Sequence, residues 1–92
     1  MELVLPAQVN REVVLAFANQ AKEAFQGGTE AVRLDASAAA SVHPAMLQLI
    51  LAMGRSAREA GRSFTLVAPS GELIDNFQSL GLFADLMTIS ME

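Results

Sequence analysis

The chain has 92 residues, enough for one compact domain and too few for a second. Its formal charge of −4 argues against a phosphate backbone or an anionic membrane as partner, and the absence of cysteine excludes disulfides, thiolate metal sites and thiol nucleophiles together. Hydrophobic residues make up 52% against 17% charged, a balance that leaves apolar side chains at the surface of so small a domain, although many of them are alanines.

Residues 2–5 alternate and are β-prone, and Pro6 closes them, which predicts a first strand. The first dozen residues lack the basic region and long apolar core of a secretory signal, and no apolar run approaches bilayer length, so a cytoplasmic location without membrane insertion is expected. Asn10 is placed to cap a helix that carries Val13, Val14, Phe17, Ala21 and Phe25 at helical spacing, with Gly27-Gly28 as its end. A second strand is predicted over 30–35, where Val32 and Leu34 alternate with Ala31 and Arg33 and Asp35 closes the run. A central place in a sheet then requires Arg33 to reach an edge with its long stem.

A loop of alanines and serines follows, and Pro44 opens a second helix that runs to about residue 60. Met46, Leu49, Ile50, Met53 and Ala57 form its apolar stripe, Leu47 and Leu51 widen it, and Gly54 is read as a point of close packing. The unpaired N–H groups of its first turn are expected to point at the loop. Residues 63–68 predict a third strand ended by Pro69; Ser70 is placed to cap a third helix with Leu73, Phe77 and Leu80 on one face and Gly81 as its stop. Over 86–91, Met87, Ile89 and Met91 alternate with Thr88 and Ser90 and predict a final strand. The whole reads as a single small α/β domain over residues 1–92, a sheet of about four mostly parallel strands with three main helices. The methionines at 46, 53, 87 and 91 are read as core and edge packing, while Leu82, Phe83 and Met87 are expected at a surface beside the loop that starts at Ala36.

Candidate chemistry is sparse. Asp35, Ser41 and His43 lie within nine positions, but a catalytic triad needs convergence from separate elements and an oxyanion hole, and no nucleophile elbow or phosphate-cradling glycine motif occurs. A lone histidine with no companion ligands is a poor metal site, so no metal, no cofactor and no catalytic residue are expected. Ser37 and Ser41 flank the loop, where serine usually bonds backbone N–H groups.

The run Leu34-Asp35-Ala36-Ser37, the apolar helix over 47–53, the stretch EAGRSFTLVAPS over 59–70 and the turn Leu80-Gly81-Leu82-Phe83 resemble the STAS domain of anti-sigma factor antagonists and sulphate transporter tails. The resemblance implies a non-catalytic protein-binding module of bacterial signal transduction. It also implies a contact surface made of the loop with Ser37 and Ser41, the second helix start at His43, Pro44, Ala45 and Met46, and Ser70 with the residues up to Ile74. In the phosphorylated antagonists that helix begins with a serine that a partner kinase modifies; here Pro44 stands in its place, so no phosphorylation is expected there. Among similar short forms, Asp35-Ala36-Ser37, Gln48 and the Pro69-Ser70 segment resemble the STAS proteins of alphaproteobacterial chemotaxis operons, which bind the chemotaxis histidine kinase and assist phosphate drainage. The resemblance leaves open an antagonist of a serine-kinase anti-sigma factor, the cytoplasmic STAS subunit of a phospholipid-trafficking ABC transporter that clamps an ATPase, and an occasional nucleotide ligand.

Overall fold

The computed structural model describes residues 1–26 and 31–92. In chain order it contains β1 (Glu2–Val4), β2 (Gln8–Val9), α1 (Arg11–Gln26), β3 (Val32–Asp35), β4 (Ser41–Val42), α2 (Pro44–Glu59), β5 (Phe64–Val67), α3 (Gly71–Ser79), α4 (Phe83–Leu86) and β6 (Ser90–Met91). The expected helix end at Gly27-Gly28, and Glu30 at the start of the second predicted strand, lie outside the described residues.

The main sheet has the order β1-β3-β5-β6 with every neighbouring pair parallel. Each strand is therefore laid beside the previous one in a constant direction. Crossovers of the single hand that parallel sheets adopt then carry all the intervening helices over the same face. The burial pattern agrees: Leu3, Val32, Leu34, Phe64 and Leu66 are buried, whereas their alternate neighbours Arg33, Asp35, Thr65 and Val67 are only partly covered and Val4 is exposed. Arg33 sits on the central strand β3, and its stem carries the guanidinium across the open face to Glu2 at 3.5 Å and Glu92 at 2.5 Å, as an arginine in that position requires.

On the covered face α1 contributes Val14, Phe17, Ala21 and Ala24, and α2 contributes Met46, Leu47, Ile50, Leu51, Met53 and Ala57. The Asn10 side chain accepts from the Val13 amide at 3.0 Å and starts α1. Both α2 and α3 end in the same way: Gly61 and Gly81 take positive φ (67° and 71°), and the following amides of Arg62 and Leu82 donate back to Ala57 and Phe77. Only a residue without a Cβ takes that left-handed turn cheaply. Gly54 lets α2 approach the end of the chain, since a Cβ there would lie 3.2 Å from Ile89 Cγ1. At the far end of α2, the Arg62 guanidinium donates to the Ala24 carbonyl and lies over the Phe25 ring at 5.1 Å, joining it to α1.

Two expectations are corrected. The final strand is not continuous over 86–91: residues 83–86 are the helix α4, with Leu86 and Met87 amides donating to Leu82 and Phe83, and only Ser90 and Met91 pair with β5. Leu82, Leu86 and Ile89 also fit helical spacing, and it is Leu86 and Ile89 that enter the core, leaving Met87 59% and Met91 38% exposed instead of packed. Around the loop, a second sheet of β2 and β4 pairs Gln8 with Ser41 and Val9 with Val42 in parallel. Two-residue strands carry no periodic signal, so nothing local marks them.

Candidate functional site

At the carboxyl end of the sheet, where ligands of open α/β sheets usually bind, the chain leaves β3 through Asp35 and turns over residues 36–40. The Asp35 carboxylate accepts from the Ser37 amide at 2.9 Å and the Ser37 hydroxyl at 2.7 Å. These two bonds hold its pKa below the ordinary carboxylate value, the backbone bond contributing most. Ala36 is fully buried; its amide donates to Val67 and its carbonyl accepts from Ala39 and Ser70. The Ala40 and Ser41 amides then converge on the Ala7 carbonyl, and the His43 amide reaches Val9. The loop is thus fixed from three sides, by β5, by the start of α3 and by the β2 segment.

Ser70 does double duty. Its hydroxyl donates to the Ala39 carbonyl at 2.6 Å and accepts from the Leu73 amide at 3.2 Å, so one oxygen caps α3 and ties it to the loop. At α2 the cap is His43, whose Nδ1 accepts from the Ala45 amide at 3.0 Å. An acceptor Nδ1 means the neutral ring carries its proton on Nε2, leaving that N–H directed outward as a donor. Pro44 supplies no N–H, and the Met46 amide donates to the His43 carbonyl. Pro44 therefore offers no amide and those of Ala45 and Met46 are engaged, contrary to the expectation that the first amides of α2 point free into the loop.

Ser37, Ser41, His43, Pro44 and Ala45 are exposed on one rim, with Ala38 and Ala40 between them and Ser70 partly covered behind. Met46 departs from the expected surface: it is 0% exposed and is the first core residue of α2. Its helical spacing with Ile50, Met53 and Ala57 puts it on the buried stripe, as the apolar pattern predicts, so the contact surface implied by the resemblance does not include it. Leu82 lines a depression of about 220 Å³ with Gln48, Leu51, Arg55, Arg58, Asp85 and Thr88. This groups it with the flank of α2, not with the loop, while Phe83 is exposed as expected. The backbone of Ala7 and Val9, which braces the loop, escaped the sequence reading; the only trace is the pair of valines at 9 and 42.

The triad types do not form a relay, because Asp35 is bonded to Ser37 and the His43 Nδ1 to Ala45. Among the described residues no group of three His, Cys, Asp or Glu side chains is placed to hold a metal, and no helix is long and apolar enough to cross a membrane. What the rim offers is a hydrogen-bonded surface of small exposed side chains with one imidazole.

No curated protein and no solved structure matches the chain. A family model described as "Mlab, STAS domain" matches residues 1–88. Nearly the whole chain is covered, including every element that builds the rim, and the protein belongs to the STAS domain family.

Proposed function

We propose that this protein is a docking module that binds the histidine kinase of a bacterial chemotaxis system and assists phosphate drainage from a sink response regulator. STAS domains are protein-interaction modules and typically non-catalytic, so the chemistry in this reading belongs to the partner. The observation that carries it is the fixed rim: residues 36–40 and the start of α2 are held by backbone bonds from three neighbouring segments while their side chains stay small and exposed. A surface ordered before binding avoids the cost of ordering it during binding, and small side chains let a partner approach the backbone. The chemotaxis partner rests on the resemblance of Asp35-Ala36-Ser37 and Gln48 to the short STAS proteins of that system. A serine-kinase anti-sigma factor fits less well, since Pro44 offers no hydroxyl at the first position of α2.

A second reading is a permanent subunit that clamps a transport ATPase. It is favoured by the start of α2, where Pro44 stands in place of the serine that the phosphorylated antagonists use as a switch and the Ala45 amide is taken by its own cap. The two are separated by pull-down with tagged protein from the source cell and mass spectrometry of what is retained. A chemotaxis histidine kinase supports the first reading; a transport ATPase supports the second, and a serine-kinase anti-sigma factor overturns both. Whichever partner is captured, Ala45→Arg should weaken its binding at least ~10-fold and leave the melting temperature within about 2 °C, as for an exposed site. Unchanged binding would move the contact surface away from the rim.

A further inference from the structure

The open face of the main sheet is a second surface that the rim does not use. All-parallel sheets occur almost only with both faces covered, yet here the helices lie on one side. The strand register arranges the bare side in two rows. One row runs Glu2, Arg33, Thr65, Ser90 across the four strands; the next runs Val4, Asp35, Val67. Val4 is 65% exposed and stands with Val67 on either side of Asp35, and a small depression of about 60 Å³ opens between Glu2, Val4, Arg33, Asp35 and Val67.

Charge decides what fits. Arg33 is the one cation in these rows and pairs with Glu2 and Glu92, while the Asp35 carboxylate accepts from Ser37, so three carboxylates against one guanidinium leave the face with a net negative charge. A second copy would bring the same acidic rows against themselves, and an anionic lipid surface would be repelled. Size decides the shape of the occupant. Four strands about 4.8 Å apart span roughly 14 Å between the outer axes, room for one helix of about 10 Å diameter and not for two.

We infer that the open sheet face, with Val4 and Val67 among the carboxylates of Glu2, Asp35 and Glu92, is a docking surface for one basic amphipathic helix of a partner protein. The apolar stripe of such a helix covers the valines, and its flanking Lys or Arg side chains meet the carboxylates. The surface is separate from the rim except at Asp35, which closes β3 beneath Ser37.

The test is a titration of the isotope-labelled full chain with a synthetic Leu/Lys amphipathic helical peptide of about 18 residues, followed by amide chemical shifts. Shifts concentrated at Val4, Arg33, Thr65 and Val67 are expected, with binding that weakens as salt is raised. Val4→Arg, at an exposed position, and Glu92→Lys should each weaken binding about 10-fold. Ala45→Arg should leave it unchanged, so this surface and the rim succeed or fail independently. Shifts that fall mainly on the helices, or equal binding of a Leu/Glu peptide, overturn the inference. The same shifts produced by raising protein concentration without peptide would assign the face to a second copy and overturn it equally.

Discussion

Helices α2 and α3 both start at the carboxyl end of the sheet, and each is capped by a residue of extended backbone whose side chain accepts from an amide of the first turn. The partners differ. His43 reaches only two residues along its own chain, to Ala45, and remains exposed. Ser70 caps Leu73 and also donates to Ala39, 31 residues away, from a partly covered position. One cap is local and open to solvent; the other is a junction between two segments. The difference teaches where the rim is stiff: on the Ser70 side a change in the cap is felt by the loop, whereas on the His43 side it is confined to the first turn of α2.

Changes at four residues break or sharpen that contrast. The largest effect lies beneath the caps. Met46→Ala empties a fully buried site at the α2 start and should cost about 2–5 kcal/mol in urea unfolding. A loss below ~1 kcal/mol would mean that the first turn of α2 is not part of the core. Ser70→Ala removes a cap and leaves the Ala39 carbonyl without its donor, so a loss of about 1–2 kcal/mol is expected, together with faster amide exchange at both Leu73 and Ala40. Faster exchange at Leu73 alone would reduce Ser70 to an ordinary cap. His43→Ala should cost only about 0.5–1 kcal/mol, His43→Asn should recover most of it, and exchange in the 36–40 loop should not change.

The smallest effect is an acid one. The folded pKa of Asp35 is depressed by its bonds to Ser37. Its stabilising contribution is therefore complete above the ordinary carboxylate value and is lost as pH falls through the lower, folded value. The urea midpoint of Asp35→Asn should accordingly approach that of the parent chain at the acid end of a pH series, and the gap should be constant near neutrality. A gap that persists unchanged into acid would remove Asp35 from the account of the turn.

Local signals were legible and distant ones were not. Asn10, Pro44, Ser70 and Gly81 mark helix ends through chemistry within three or four residues, and each stands where its side chain or backbone freedom predicts. The alternation of Val32-Arg33-Leu34-Asp35 was enough to place a strand with one buried and one open side. The β2–β4 pair has no such mark, because residues 8–9 and 41–42 meet only through the completed fold. Residues 86–91 satisfied a period of two while Leu82, Leu86 and Ile89 satisfied a helical one, and burial against Gly54 and its neighbours decided between them. Within the site, the exposed rim was readable from small polar residues and the burial of Met46 from the apolar stripe of α2, against the surface place that the resemblance implied; the bonds of the first α2 amides depend on cap geometry that sequence spacing does not resolve.

The strand order has a consequence for synthesis. Because β1, β3, β5 and β6 lie side by side in the order in which they are translated, every new strand meets an edge that has already left the ribosome, and no strand must be inserted between two earlier ones. Chains emerge from their amino end at several residues per second, so the sheet can widen at the pace of translation, with the last-made strand always the outermost.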